Sequence, residues 1–235
     1  MMDHFNAFRP KHDLEEFSLS RQELFDNPTA RVPICLVLDC SGSMWGEPIS
    51  ELNKGIQLFM KAIRQDDIAA HSAEIAVVSF GDEEPKCELN FTSIGNQAIP
   101  FLTASGRTPM GAAVKMGLDM LEKRKKMYST TGVDYYQPWL VLMTDGAPTD
   151  DITLAAERSS ELANAKKLTV FPIGVGSAAD LQTLAKFSPR RTPVRLKGLN
   201  FSAFFEWLSK SVIAVSQSTI GESVKLPEAK GWGEL

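Results

Sequence analysis

The order of apolar segments predicts an α/β fold: a single, doubly wound, mostly parallel six-stranded sheet with helices on both faces. Three observations carry this. Continuous apolar runs recur that are short enough for strands buried on both faces. Longer segments between them place apolar residues at helical spacing. The two kinds alternate along the chain, the pattern of a parallel sheet with crossover helices.

Val32-Pro33-Ile34-Cys35-Leu36-Val37-Leu38 is apolar throughout and ends at Asp39, as a central strand does. Ile49, Leu52, Ile56, Phe59, Met60 and Ile63 then paint one face of a helix, and Pro48 suits its first turn. Glu74–Phe80 reads as the second strand. Lys86–Phe91 reads as the third, at a sheet edge, because only a short turn separates the two. Pro109–Lys126 is expected to be helical, with Met110, Ala113, Met116/Gly117, Met120 and Leu121 inward. Trp139–Thr144 is an apolar strand ending at Asp145. A helix at Ile152–Lys166, a strand at Leu168–Val175, a helix at Ala178–Phe187, a strand at Val194–Lys197 and a helix at Phe201–Ser216 complete the series. In the last helix Phe201, Phe204/Phe205, Leu208, Val212 and Val215 lie at core spacing.

The domain so outlined spans residues 31–217. Residues 1–30 hold six acids and three bases without periodicity and read as a polar N-terminal arm, with a short helix near Leu14–Leu24. Residues 218–235 read as a C-terminal tail that is mobile unless it docks.

The 235 residues are 43% hydrophobic and 23% charged, which excludes a disordered or fibrous chain. The net charge of −4 gives no electrostatic case for nucleic acid or an anionic membrane. Cys35, Cys40 and Cys87 are too few for a disulfide framework, and no Cys/His spacing suggests zinc. The N-terminus lacks the apolar stretch of a signal peptide, and no run reaches the ~18 apolar residues of a membrane span. The expected setting is cytoplasmic.

Chemistry concentrates where strands end. Asp39-Cys40-Ser41-Gly42-Ser43 follows the first strand, and the alternation of Asp39, Ser41 and Ser43 turns three oxygen-bearing side chains to one side if the loop is extended. Asp145 follows another strand, and Thr108 precedes a helix. Ligands of open α/β sheets gather at the carboxyl ends of strands where the order reverses. Two carboxylates and three hydroxyls, without Cys or His, suit Mg²⁺ or Mn²⁺ better than Zn²⁺ or Cu²⁺. Each residue also has an ordinary explanation: Asp and Ser favour turns, Thr108 suits a helix cap, and Asp145-Gly146 suits a turn. Met44 and Trp45 in the same loop serve either as packing or as an apolar rim that meets a partner.

This set resembles the metal-ion-dependent adhesion site of von Willebrand factor A domains. The resemblance spans about residues 31–217. It implies a sheet of order 3-2-1-4-5-6 whose third strand is an antiparallel edge. It also implies that Ser41 and Ser43 ligate a metal directly, that Thr108 does so in the ligand-bound state, and that Asp39 and Asp145 act largely through water. The last ligand would be a Glu or Asp of a protein partner. Arg31-Val32-Pro33, the run from Asp39 to Ile49, Leu142–Asp150 and Phe204–Ser209 look like the bacterial TerY-type branch. That branch implies a tellurite-resistance or stress-response system, with a phosphatase, kinase or other Ter-type protein as company. The expectation is thus a metal-dependent protein-interaction module and not an enzyme.

Other motifs are weaker. Gly174-Val175-Gly176-Ser177-Ala178-Ala179 fits a dinucleotide fingerprint, but no acid lies about 20 residues on, and it reads as a turn. His4, His12 and His71 are far from the site, against a Ser–His or Cys–His nucleophile. A Mg²⁺-dependent aspartate-based phosphotransferase or phosphatase is the enzymatic alternative, although Ser41 stands where its second aspartate is needed. Lys123-Arg124-Lys125-Lys126 reads as a solvated cationic helix end.

Overall fold

The computed structural model describes residues 22–228 and 231–234. β1 (Val32–Asp39) and β2 (Ala73–Phe80) are buried at every position and pair in parallel from Val32 with Ala73 to Asp39 with Phe80. β1 also pairs in parallel with β4 (Trp139–Thr144), and β4 with β5 (Thr169–Val175). β6 (Val194–Leu196) continues the parallel series. β3 (Lys86–Leu89) is the antiparallel edge and is exposed for most of its length. It is two residues shorter than expected, and a register shift at Val77/Val78 marks its pairing.

The sheet has seven strands, not six, in the order β3-β2-β1-β4-β5-β6-β7. β7 (Gly233–Glu234) lies antiparallel to β6. The C-terminal segment docks because Trp232 is buried against Phe204 and Trp207, with ring centroids 5.0 and 5.1 Å away. Lys197 N–H donates to the Trp232 carbonyl (2.8 Å), and Trp207 Nε1 donates to the Pro227 carbonyl (2.8 Å).

Helices cover both faces. α1 (Glu47–Gln65) and α6 (Phe201–Ser216) pack on one, and the short α2 (Ala69–Ser72) precedes β2. α3 (Met110–Thr131), α4 (Thr153–Asn164) and α5 (Leu181–Ala185) pack on the other. The inward face of α6 is buried as its spacing predicts, each large apolar side chain contributing about 1.5–3 kcal/mol. No helix among the described residues is long and apolar enough to cross a membrane.

α3 corrects one expectation. It runs five residues beyond Lys126, to Gly132 in the left-handed conformation that ends it. Arg124 is therefore not part of a solvated end. It is buried and donates to both oxygens of Glu74, from Nε (2.6 Å) and Nη2 (2.7 Å). Arg31 Nε donates to Glu74 Oε1 (3.1 Å), Tyr128 OH donates to Oε2, and Arg31 Nη2 reaches the Asn27 carbonyl (2.6 Å).

This network ties the starts of β1 and β2 to the end of α3 and to the segment before β1. That segment is helical over residues 22–26, and its Leu24 is buried against Met127, Tyr128 and Val133. The rest of the helix expected near Leu14–Leu24, with most of the arm, lies outside the described residues.

Removing Glu74 leaves two guanidinium groups buried without their counter-ion. Glu74→Ala is expected to cost about 3–5 kcal/mol. Urea unfolding measures it, and a loss below about 1 kcal/mol would show that the network is incidental to stability.

Candidate functional site

β1 is flanked by β2 and β4, and the chain leaves β1 toward α1 on one face and β4 toward α4 on the other. The strand order reverses there, so the two loops diverge and leave a crevice at the carboxyl ends of the strands. Asp39, Ser41, Ser43 and Asp145 all stand at this crevice.

Asp39 is fully buried. Its Oδ1 accepts from Ser41 N–H (2.7 Å), and its Oδ2 accepts from Thr144 Oγ1. The loop after β1 is not extended as expected. A 3-10 turn over Gly42–Met44 folds it, and this turn brings the hydroxyls together. Ser41 Oγ and Ser43 Oγ are 3.1 Å apart, and Ser43 Oγ donates to Asp145 Oδ1 (2.8 Å). The turn also divides the two rim candidates: Met44 is buried in the core under α1, whereas Trp45 is 78% exposed.

Thr108 arrives through backbone contacts. Cys40 N–H donates to the Phe80 carbonyl (2.7 Å), Ser105 N–H to the Cys40 carbonyl (2.7 Å), and Gly42 N–H to the Gly106 carbonyl (3.2 Å). Three loops thus interlock without side chains between them. Gly106 has φ +65°, and a Cβ there would lie 2.0 Å from the Gly81 carbonyl oxygen. A Cβ on Gly81 would lie 2.2 Å from the Cys40 carbonyl oxygen.

Of the ordinary roles offered, Asp39 fills that of a turn residue through its Oδ1 bond to Ser41 N–H, whereas the helix cap offered for Thr108 is supplied by another residue. The amides of Gly111 and Ala112 at the start of α3 are capped by Asp150, at 3.0 and 2.8 Å, and not by Thr108. Thr149 holds the Thr108 backbone, its Oγ1 accepting from Thr108 N–H (3.1 Å) and its own N–H donating to the Thr108 carbonyl (2.9 Å). Thr144 Oγ1 braces the turn at Gly146 (3.3 Å) as well as Asp39. Sequence reading missed Thr144, Thr149, Asp150, Gly81 and Gly106. Thr144 was within reach as the neighbour of Asp145. Nothing local signals Asp150, which caps a helix 38 residues earlier.

Burial pushes the Asp39 carboxyl above its usual range and Asp145 adds repulsion, against hydrogen bonds from Ser41 and Thr144. The Cys40 thiol is pushed up to about 12 by burial and by Asp39, Glu88 and Asp82, so it remains protonated and is a poor metal ligand. Among the described residues no group of three or more His, Cys, Asp or Glu gathers around a point. Asp39, Ser41, Ser43 and Asp145 form one hydrogen-bonded group of hard oxygen atoms, the kind that suits a hard cation, and Thr108 is held beside it through its backbone. A cavity of about 1260 Å³ lies along the flank of α3 and holds none of these residues. Gly174 lies within β5, Gly176 follows the strand with its carbonyl accepting from Arg195, and only the five-residue α5 comes next, so no dinucleotide cradle is built.

The sequence model of the von Willebrand factor type A domain matches residues 34–202. The chain belongs to this family. A von Willebrand factor A domain-containing protein of Dictyostelium discoideum is 22% identical over 163 residues, 69% of this chain and 18% of that protein. The chain spans a fifth or less of the length of this relative and of a second from the same organism. Among solved structures, the pilus adhesin SpaC of Lactobacillus rhamnosus GG superposes with a TM-score of 0.63 at 15% identity, over 79% of this chain and 31% of the adhesin. Proximal thread matrix protein 1 of the mussel byssus, with a zinc-occupied MIDAS motif, superposes with a TM-score of 0.52 at 15% identity, over 78% of this chain and 48% of that one. At these identities the superpositions describe the shared vWA fold.

Gly106→Ala tests the interlock. The left-handed conformation alone costs about 1–2 kcal/mol for a residue with a Cβ, and the contact with Gly81 adds to it. Gly146→Ala, at a position with nothing within 4 Å of the added carbon, is the control and is expected to unfold at nearly the wild-type urea concentration. Equal stability of the two variants would refute the interlock.

Proposed function

We propose that this vWA domain is a metal-dependent protein-binding module, in which a divalent cation held at the sheet crest is completed by a carboxylate from a partner. The observation that carries this reading is the convergence of Ser41, Ser43 and Asp145 above the buried Asp39, with Thr108 held on the same rim. Ser41, Ser43 and Thr108 would offer hydroxyl oxygens, and Asp39 and Asp145 carboxylates. Hydroxyl ligands are neutral, so an ion bound there supplies an electrophilic coordination position. The chain's own part is to orient the donors, and the Ser41 and Thr144 hydrogen bonds oppose the effect of burial on the Asp39 carboxyl. Hard oxygen donors favour Mg²⁺ or Mn²⁺. The zinc-occupied motif of the mussel protein supports a divalent ion at this place in the fold.

Binding is favoured over phosphoryl transfer. A nucleophilic carboxylate needs an oxygen open to the incoming group, and Asp39 exposes none of its surface while both its oxygens carry hydrogen bonds. Ser41, two positions on, supplies no carboxyl for proton transfer. The adhesin among the structural neighbours supports the same preference. The TerY-like assignment, with its tellurite-resistance setting and its phosphatase, kinase or Ter-type company, rests on sequence resemblance, and the cytoplasmic location on the expectation drawn from the sequence's apolar patterning.

Thermal melting with Mg²⁺, Mn²⁺ or EDTA tests the metal half. At a hundred times its Kd, a bound ion stabilises by about 2.7 kcal/mol, or about 5–10 °C for a domain of this size. Asp39→Asn removes a buried charge and is expected to melt no lower than wild type in EDTA, and to show no rise with metal. An equal rise in wild type and Asp39→Asn would move the ion elsewhere. Pull-down in Mg²⁺ and in EDTA, with Asp39→Ala as control, tests the partner half. A protein retained by wild type in Mg²⁺ alone supports the reading, and retention indifferent to metal and mutation overturns it.

A further inference from the structure

The three most exposed large apolar side chains of the described residues surround the crevice. Trp45 (78% exposed) follows the Ser41–Ser43 turn. Phe101 (74%) lies in the loop that Ser105 ties to Cys40. Leu154 (79%) opens α4, just after the Asp150 that caps α3. Two loops and one helix start thus project apolar groups around one site. Scattered exposed hydrophobics are ordinary, but a set confined to one rim marks an interaction surface.

The same rim is acidic. Glu47, Glu83, Glu84 and Asp151 are exposed on it and Asp145 is half-buried at its centre. Arg107 is the one cation in the loops 40–46, 81–85, 97–109 and 145–152. Lys86, where β3 begins, is paired with Asp82. Beside the site a cavity of about 240 Å³ is lined by Phe101 and Ser105, by Asp82, Glu84 and Glu88, and by Lys86, whose charge its pairing with Asp82 offsets, so the wall stays net acidic with space for one extended side chain. A partner carboxylate therefore approaches through a negative field that a divalent ion offsets at one point only.

We propose that the partner surface is a protruding carboxylate set among cationic and apolar side chains, the carboxylate aimed at the metal position, the apolar groups seated on Trp45, Phe101 and Leu154, and a Lys or Arg in the cavity beside Phe101. This rests on the metal-dependent binding proposed above and specifies what surrounds the ligating acid. A partner whose acid lies in an acidic stretch is rejected by the rim, and one without apolar neighbours leaves the anchors in water.

The test uses the full chain in Mg²⁺ and short fluorescein-labelled peptides followed by polarisation. One peptide carries a central Glu flanked by Lys and Leu, a second replaces each Lys by Asp, and a third replaces the Glu of the first by Gln. The first is expected to bind at least about tenfold tighter than the second, with the preference narrowing as salt rises. Trp45→Ala and Phe101→Ala are each expected to weaken it about tenfold or more while keeping the wild-type metal-induced melting shift. Glu83→Lys/Glu84→Lys is expected to narrow or reverse the charge preference. If the first two peptides bind equally and the Gln peptide does not bind, the rim proposal fails while the metal–carboxylate reading stands. If the Gln peptide binds as well as the first, or none binds, both fail.

Discussion

The buried carboxylate of Asp39 is the constraint around which this site is organised. It ends the central strand, is fully buried, and is held by a backbone amide and a hydroxyl, with no ion pair reaching it among the described residues. The opposite end of the sheet treats buried charge differently. Glu74, at the start of β2, is equally buried and is met by Arg31, Arg124 and Tyr128. A fold able to place two guanidinium groups around one carboxylate supplies none to the other. The Glu74 cluster closes on itself and serves the structure. Asp39 meets only hydroxyl and amide dipoles, which oppose the upward push of burial on its carboxyl without supplying a counter-charge.

That role demands rigidity in the surrounding loops. Donors for a cation must be in place before the ion arrives, or ordering them consumes its binding energy. Backbone does this work here. The Cys40, Gly42 and Ser105 amides and the Phe80, Cys40 and Gly106 carbonyls bond across three loops, and Gly81 and Gly106 permit an approach that no Cβ would allow. Thr149 and Asp150 brace the fourth side from the loop after β4, so both strand-end loops that supply carboxylates also hold the start of α3. Ser43, exposed and bonded to Asp145, is the hinge between these two halves.

How much of this was legible follows from the range of each signal. β1, β2, β4 and β5 announce themselves because burial on both faces demands unbroken apolar runs, and the amphipathic helices do so through their spacing. The candidate site residues came from oxygen-bearing side chains at strand ends and from the family resemblance, and the structure joins Asp39, Ser41, Ser43 and Asp145 by hydrogen bonds. β7 was not legible, since two residues form no pattern and its anchor, Trp232, looks like any residue of a polar tail. Arg124 misled because a run of four cations reads as solvent-facing, and only Glu74, 50 residues earlier, explains its burial. Met44 and Trp45 are adjacent, and a 3-10 turn that no apolar spacing reveals sends one inward and the other out.

The division between Met44 and Trp45 also bears on how recognition is built. Met44 pins the turn to the core, so the hydroxyls of Ser41 and Ser43 on either side of Gly42 cannot drift with the solvent-exposed residue that follows. Trp45, exposed, can then be replaced without moving those hydroxyls, and under the proposed binding mode affinity for the ion and selectivity for the partner would reside in different side chains of one short loop. The acidic rim adds the remaining control. In the binding mode proposed above, Asp145 and its acidic neighbours oppose a partner carboxylate until a cation is bound, so metal occupancy would act as the switch for binding and the charges and apolar groups around it would choose the partner.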